Sequence, residues 1–179
     1  MRSSSGSPQS RAVLFHLNLL HLVLFLGAMA TVGLALREIR GRTLRRGHLF
    51  LLPAVATLMA LILLLFQLAA KQPPWVLAAV FALGLAAGGL RGATMKLEVD
   101  QNWHLVRPTG RRALFWVALA IPVAAGFEIG GAIVGPQGAL VRLAGAGIGL
   151  LCAGLLVGRA AVFVIRLVRA PHVDLRRRR

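Results

Sequence analysis

The sequence predicts an all-α integral membrane protein: a bundle of five transmembrane helices with a short polar insert on the cytoplasmic side. Two observations support this fold class. Hydrophobic residues make up 58% of the 179 residues, which exceeds the roughly 45 to 50% apolar share of soluble proteins. The apolar residues also fall into five runs, each close to the roughly 20 residues that cross a bilayer.

The first run defines a helix over residues 12–36, preceded by a Ser, Gly and Pro-rich segment, 1–11, that we expect to be disordered. A cleavable secretory signal is the alternative, because Ala28 and Ala30 form a small-x-small pattern behind a basic start. The run is longer than the roughly 7 to 15 apolar residues of a signal core, which favours a retained helix.

The second and third helices are expected over residues 49–70 and 75–92. Pro53 lies in the first turns of the second helix, where a missing N–H costs little. The sequence KQPP that follows leaves room only for a tight turn, so the third helix should return antiparallel to the second.

The fourth and fifth helices are expected over residues 113–134 and 139–165, joined by the short sequence GPQG. They should therefore form a helical hairpin. The five helices together make one transmembrane domain over residues 12–170, and a basic tail, 171–179, follows it.

The polar insert between the third and fourth helices changes pattern. TMKLEV and WHLV alternate apolar and polar residues on either side of DQN, which has turn chemistry. A short β-hairpin outside the membrane fits this pattern. An irregular polar loop fits it equally, since an isolated two-stranded hairpin is only marginally stable in water.

The basic residues predict an orientation if all five runs cross the membrane. Of 21 Lys and Arg, seventeen lie in loop 37–48, in the insert 91–112 and from Arg159 onwards, all on one side, and four lie on the other. Positive charge is retained in the cytoplasm during insertion, so the N-terminus should lie outside and the C-terminus inside a bacterial inner membrane.

The net charge of +16 also bears on partners. The basic residues lie between apolar runs without a nucleic-acid-binding module, which argues against nucleic acid. We expect anionic lipid headgroups instead, and a protein partner on the cytoplasmic face as a second ligand. The residues expected to face lipid or a partner are Arg37, Arg40, Arg42, Arg45, Arg46, Arg111, Arg112, Arg176, Arg177, Arg178 and Arg179.

Glu128 is the most informative single residue, because an ionisable group inside a spanning helix usually either pairs or lines a polar pathway. Arg142 descends from the same side of the membrane across the GPQG turn, at a similar depth. An ion pair between the two is one interpretation; a proton- or cation-handling carboxylate beside a kink at Pro122 is another.

Other polar residues in the spans are His16, Asn18 and His21 in the first helix and Gln67 in the second. His16 and His21 are about 140° apart around a helix, so they do not share a face on which to chelate one ion. Hydrogen bonds between helices are the expected role. No metal or cofactor is predicted, and a haem on His16 or His21 remains an alternative.

Glycines at four-residue spacing predict close helix packing, because such spacing places them on faces where backbones can approach. Packing within the chain is the first interpretation, and a homo-oligomer is the second. The glycines concerned are Gly84, Gly88 and Gly92 in the third helix and Gly145, Gly149, Gly154 and Gly158 in the fifth.

The stretch GLRGATMKLEVDQNWHLVRPTGRRALFWVAL, within residues 84–119, resembles small multi-pass bacterial membrane proteins of the CcdC-like group, named for an association with cytochrome c biogenesis. The shared features are an arginine-glycine helix end, a polar alternating insert and an Arg-led helix. The resemblance implies a multi-pass membrane protein and carries over no catalytic residues. The single cysteine also argues against a direct thiol role.

These observations favour a non-enzymatic accessory or assembly component of the membrane. The chain has no phosphate-binding glycine loop ahead of a lysine, no His-Glu zinc motif and no serine elbow. Two alternatives stay open: a small transporter or proton-coupled permease that uses Glu128, and a haem-binding electron carrier.

Overall fold

The computed structural model describes residues 19–40, 44–45, 47–69, 73–95, 97–100, 105–108 and 112–169. In these ranges the chain forms five long α-helices. They are α1 Leu19–Arg40, α2 His48–Ala69, α3 Pro74–Thr94, α4 Arg112–Val134 and α5 Ala139–Arg169. The predicted disordered start and basic tail lie outside the described residues.

All five helices are long and apolar enough to cross a membrane. Their outward faces carry large apolar side chains, such as Leu65 of α2, which is 59% exposed, and Leu83 of α3, which is 68% exposed. Soluble monomers rarely expose contiguous apolar surface on this scale. The chain therefore has the character of a multi-pass membrane protein.

The long helix α5 lies at the centre of the bundle. It packs against α2, α3 and α4, whereas α1 packs against α2 and α4. The core consists mainly of Ala and Leu side chains, among them Ala124 of α4 and Ala153 of α5, neither of which is exposed at all. Small side chains let the central helix approach several neighbours at once.

Two of the helices are longer at their C-terminal ends than expected. Helix α1 extends to Arg40 instead of ending at residue 36, and α5 continues to Arg169 instead of residue 165. The ends of α2, α3 and α4 and the start of α5 agree with the prediction within two residues, and the predicted start of the first helix at residue 12 lies outside the described residues. Hydropathy ended both helices too early, because each carries charged residues inside its last turns.

A small antiparallel sheet occupies the polar insert. Strand β2, Leu97–Asp100, pairs with β3, Leu105–Pro108, and the residues 101–104 between them lie outside the described part. A third strand, β1, Leu44–Arg45, pairs with the other edge of β3. The α1–α2 loop thus belongs to the sheet, which the sequence did not predict.

The sheet brings three separate basic segments to one end of the bundle. Val99 and Val106 are paired across the two strands and fully buried, and they pack with Phe50, Leu97 and Leu167. We call this the sheet end, where α1, α3 and α5 finish and α2 and α4 begin. The opposite end, where α2 and α4 finish, α3 and α5 begin and the 3-10 turn Gly135–Gly138 lies, is the turn end.

Candidate functional site

The turn end contains a buried polar network that joins three helices. Arg142, in the first turn of α5, donates from Nε to Oε1 of Glu128 in α4 at 2.7 Å. Gln67, near the end of α2, donates from Nε2 to Oε2 of the same carboxylate at 3.1 Å and to the Arg142 carbonyl at 3.2 Å. The structure thus brings together the ion pair and the polar residue that the sequence singled out.

Glycines make the approach of these charged groups possible. A Cβ on Gly131 would overlap the Arg142 side chain and lie 2.9 Å from the Gly138 carbonyl oxygen. Gly131 follows Glu128 by three residues and shares its face of α4, so the arginine side chain crosses the space that a larger residue would fill. Gly135, at φ +76°, starts the turn in a conformation that favours glycine.

The chemistry of this network is that of a satisfied ion pair. Glu128 is not exposed at all, and each of its oxygens accepts a hydrogen bond, while the Arg142 side chain is 27% exposed. Pro122 lies inside α4, which continues through it as one helix. A buried carboxylate paired in this way holds helices together.

A second buried ion pair lies toward the sheet end. Arg159 of α5 donates from Nη2 to Oε1 of Glu38 in α1 at 2.7 Å, and the two side chains are only 11% and 5% exposed. The guanidinium carbon also lies 4.9 Å from the ring centroid of Phe163. Arg159 is therefore held inside the bundle by an ion pair, and α5 continues past it to Arg169.

Two small cavities adjoin Arg159. One of about 10 Å³ is also lined by Glu38 and Phe163, and one of about 40 Å³ is lined by Arg91 and Leu114 among others. The larger has room for one water molecule. The buried Nε of Arg159 makes no hydrogen bond, so the ion pair with Glu38 satisfies only part of this guanidinium.

Arg166, about two turns further along α5 than Arg159, caps the end of α3. Its Nη1 donates to the carbonyl oxygens of Gly92 at 2.7 Å, Ala93 at 3.0 Å and Met95 at 2.6 Å. The last carbonyls of a helix lack partners within it, and a cation near them is favourable. The sequence did not predict this capping role. An arginine with hydrophobic neighbours near the end of a span could have indicated that Arg166 bonds to the end of a neighbouring helix.

The glycines of α3 and α5 form a reciprocal contact. A Cβ on Gly84 or Gly88 would overlap the backbone at Leu151 or Leu155 of α5, and one on Gly92 would lie 3.1 Å from the Arg159 carbonyl oxygen. Gly154 and Gly158 face the α3 backbone in the same way. The glycine pattern therefore serves packing between these two helices of one chain.

The remaining glycines of the pattern face other helices. A Cβ on Gly145 would lie 2.8 Å from the Ala124 carbonyl oxygen of α4, and one on Gly149 would overlap Leu63 of α2. Gly126 and Gly130 of α4 have the same spacing, yet open space surrounds them. Spacing alone thus does not identify a packing glycine.

His21 does not make the hydrogen bond between helices that the sequence predicted. It is buried, its two ring nitrogens have no hydrogen-bond partner, and its ring lies 4.9 Å from that of Phe66 of α2. The prediction fails because an aromatic residue stands opposite it. His16 and Asn18 lie outside the described residues. In the described part, no group of three His, Cys, Asp or Glu could hold a metal ion.

The basic residues expected to face lipid or a partner are only partly described. Arg37 and Arg40 are exposed in the last turn of α1, Arg45 belongs to β1, and Arg112 begins α4, so all four lie at the sheet end. The others, Arg42, Arg46, Arg111 and Arg176 to Arg179, lie outside the described residues.

No family model matches the chain, and no curated protein or solved structure shows significant similarity to it. The resemblance to the CcdC-like group therefore stays a prediction from sequence.

Proposed function

We propose that the chain is a non-enzymatic accessory or assembly component of a bacterial inner membrane, whose sheet end faces the cytoplasm and binds anionic phospholipid headgroups. A protein partner would bind the same basic surface. The orientation follows from the positive-inside rule and the seventeen basic residues assigned to that side.

One observation carries this proposal: the sheet gathers the three basic segments of the chain at one end of the bundle. Strand β1 ties loop 37–48 to the insert, and Leu167 ties the end of α5 to the same sheet. Each basic residue near an anionic leaflet contributes about 1 kcal/mol of attraction. A surface built from all three segments is suited to that leaflet.

The state of Glu128 supports an accessory role over transport. A transport carboxylate must exchange a proton or ion with water at some stage, and it usually lines a polar pathway. Here the carboxylate is fully buried between Arg142 and Gln67, and it does not line the cleft between α2 and α3. Such a group is better suited to holding α2, α4 and α5 together.

The test measures which lipids the protein retains. Purified protein in mixed micelles of anionic and zwitterionic phospholipid is compared by native mass spectrometry for wild type, Arg37→Gln/Arg40→Gln and the control Lys71→Gln. We expect the relative retention of anionic lipid to fall roughly five-fold per arginine lost, to weaken with salt, and to be unchanged in the control. Equal retention in all three would contradict the proposal.

A parallel flux measurement addresses the transporter alternative. Proton flux into liposomes that contain the protein should equal the flux into empty liposomes. Flux that depends on Glu128, and is lost in folded Glu128→Gln, would favour a permease and overturn the accessory role.

A further inference from the structure

A cleft lies between α2 and α3, in the half of the bundle nearer the turn end. Its volume is about 400 Å³, and nine of the ten residues that line it are apolar. They come from α2, from α3 and, through Leu150, from α5. The ion pairs and the basic surface described above are not part of it.

The cleft exists because α3 packs on α5 and not on its neighbour in sequence. Gly84 and Gly88 bring α3 against α5, while α2 packs on the other side of the bundle against α1 and α5. The two helices are joined by only a few residues at the turn end, yet few contacts form between them. A lateral slot therefore stays open between α2 and α3.

The slot has a buried floor and an open rim. Ala60, Leu77 and Leu150 at its base are 3%, 1% and 5% exposed, whereas Leu61 and Leu68 at its rim are 52% and 47% exposed. Thr57 is the one lining residue with a polar side chain, and its hydroxyl donates to the Pro53 carbonyl of its own helix at 2.8 Å. The lining thus offers no free hydrogen-bond donor to a polar ligand.

We propose that this slot binds one acyl chain of a membrane phospholipid. Its walls belong to two helices that are apolar and long enough to span the bilayer, so the medium at its mouth is hydrocarbon. Water would gain no hydrogen bonds from such walls, and genuinely apolar cavities stay dry. Because the slot is open at its rim, hydrocarbon can enter it and supply the van der Waals contacts that an empty slot would lack.

The size of the slot distinguishes an acyl chain from a helix of a second copy. A helix is about 10 Å wide and rises about 5.4 Å per turn, so a single turn occupies roughly 400 Å³. The slot has room for about one such turn, so a helix of a second copy could not lie inside it and could only pack across the rim and insert side chains. An acyl chain, one methylene wide, can enter along its length and contact both walls.

The first test uses the wild-type protein in bilayers that contain a phospholipid with a photoreactive group midway along one acyl chain. We expect labelling of Leu61, Leu64 and Ala78 to exceed several-fold that of Leu26 in α1, an exposed leucine about equally far from its own helix end. Uniform labelling of the slot and of Leu26 would overturn the proposal. Cross-links from slot residues to another protein chain would overturn it as well.

The second test fills the slot with a side chain. Ala78→Trp places an indole in it, and Ala86→Trp places the same indole on an exposed position of α3 outside the lining. Native mass spectrometry in delipidating detergent should show one retained phospholipid fewer for Ala78→Trp than for wild type, and the wild-type number for Ala86→Trp. An unchanged number for Ala78→Trp, or the same loss from both variants, would contradict the assignment; the photolabelling decides if Ala78→Trp does not fold.

Discussion

Arg159 of α5 and Glu38 of α1 form an ion pair at 2.7 Å across 121 positions of sequence, with both side chains almost fully buried. Arg142, seventeen residues earlier and therefore about 26 Å away along the same helix, forms the matching pair with Glu128 at the other end. The central helix is thus joined by charge to α4 near the turn end and to α1 near the sheet end.

The ion pair of Glu38 with Arg159 predicts that removing one charge destabilises the protein more than removing both. Glu38→Gln leaves the Arg159 charge buried without its counter-ion, which is expected to cost about 3 to 5 kcal/mol. The double variant Glu38→Met/Arg159→Met should be much less destabilised, because apolar residues replace both charges. Unfolding can be followed with a thiol-reactive fluorophore, since Cys152 is the only cysteine and is buried. Arg37→Gln, at an exposed neighbouring residue, is the control. An equal loss of stability in Arg37→Gln and Glu38→Gln would show that the Glu38–Arg159 pair does not join α1 to α5.

The ion pair of Arg142 with Glu128 predicts that loss of the arginine destabilises the protein more than loss of the carboxylate does. Arg142→Met leaves a fully buried carboxylate without a cation, whereas Glu128→Gln leaves an arginine that is already 27% exposed and can reach water. We therefore expect Arg142→Met to lower the unfolding temperature more than Glu128→Gln does, in the same thiol assay. If Glu128→Gln is the more damaging change, the carboxylate has a role beyond this pair.

Two glycines in equivalent sequence patterns predict different results. Gly88→Ala places a Cβ against the Leu155 carbonyl of α5, and overpacking of this kind typically costs about 1 to 3 kcal/mol. Gly126→Ala meets open space and gains helix propensity, so it should be neutral or stabilising. Thermal unfolding of the two variants checks this, and equal destabilisation would show that the α3–α5 contact is looser than described.

The cap on α3 predicts a local effect. Arg166→Gln removes hydrogen bonds to the carbonyls of Gly92, which is buried, of Met95, which is half-buried, and of Ala93, which is exposed. Hydrogen exchange should become faster in the last turn of α3, where Met95 donates to the Arg91 carbonyl, with little change in α1. Arg40→Gln, at an exposed helix end, should leave that exchange unaltered.

Much of the fold could be predicted because hydropathy and turn residues fix where a chain can cross a membrane. The pairing of Glu128 with Arg142 was predictable for a related reason: a four-residue turn places both residues at nearly the same depth, and the carboxylate has few other partners there. Local spacing determined this contact.

The ion pair of Glu38 with Arg159 could not be predicted in the same way, because it depends on which helices are neighbours in the bundle. Hydropathy ends the first helix at residue 36, so the sequence places Glu38 in a loop, whereas the helix extends to Arg40. The residues around Arg159 do not indicate α1 as the helix that provides its partner. One signal was present, since a buried arginine near the sheet end needs one of the few acids of the chain. Strand β1 left no signal, because two residues cannot show alternation.

The proposed lipid-binding surface requires the sheet end of the bundle to face the cytoplasm. In a protein with Cys152 replaced by Ala, single cysteines at Arg40, exposed at the sheet end, and at Gln137, exposed in the turn-end 3-10 turn, are treated with a membrane-impermeant maleimide in intact cells. We predict that the cysteine at 137 is labelled at once and the one at 40 only after the membrane is permeabilised. Labelling of position 40 in intact cells, with 137 protected, would place the basic end outside and contradict the proposal.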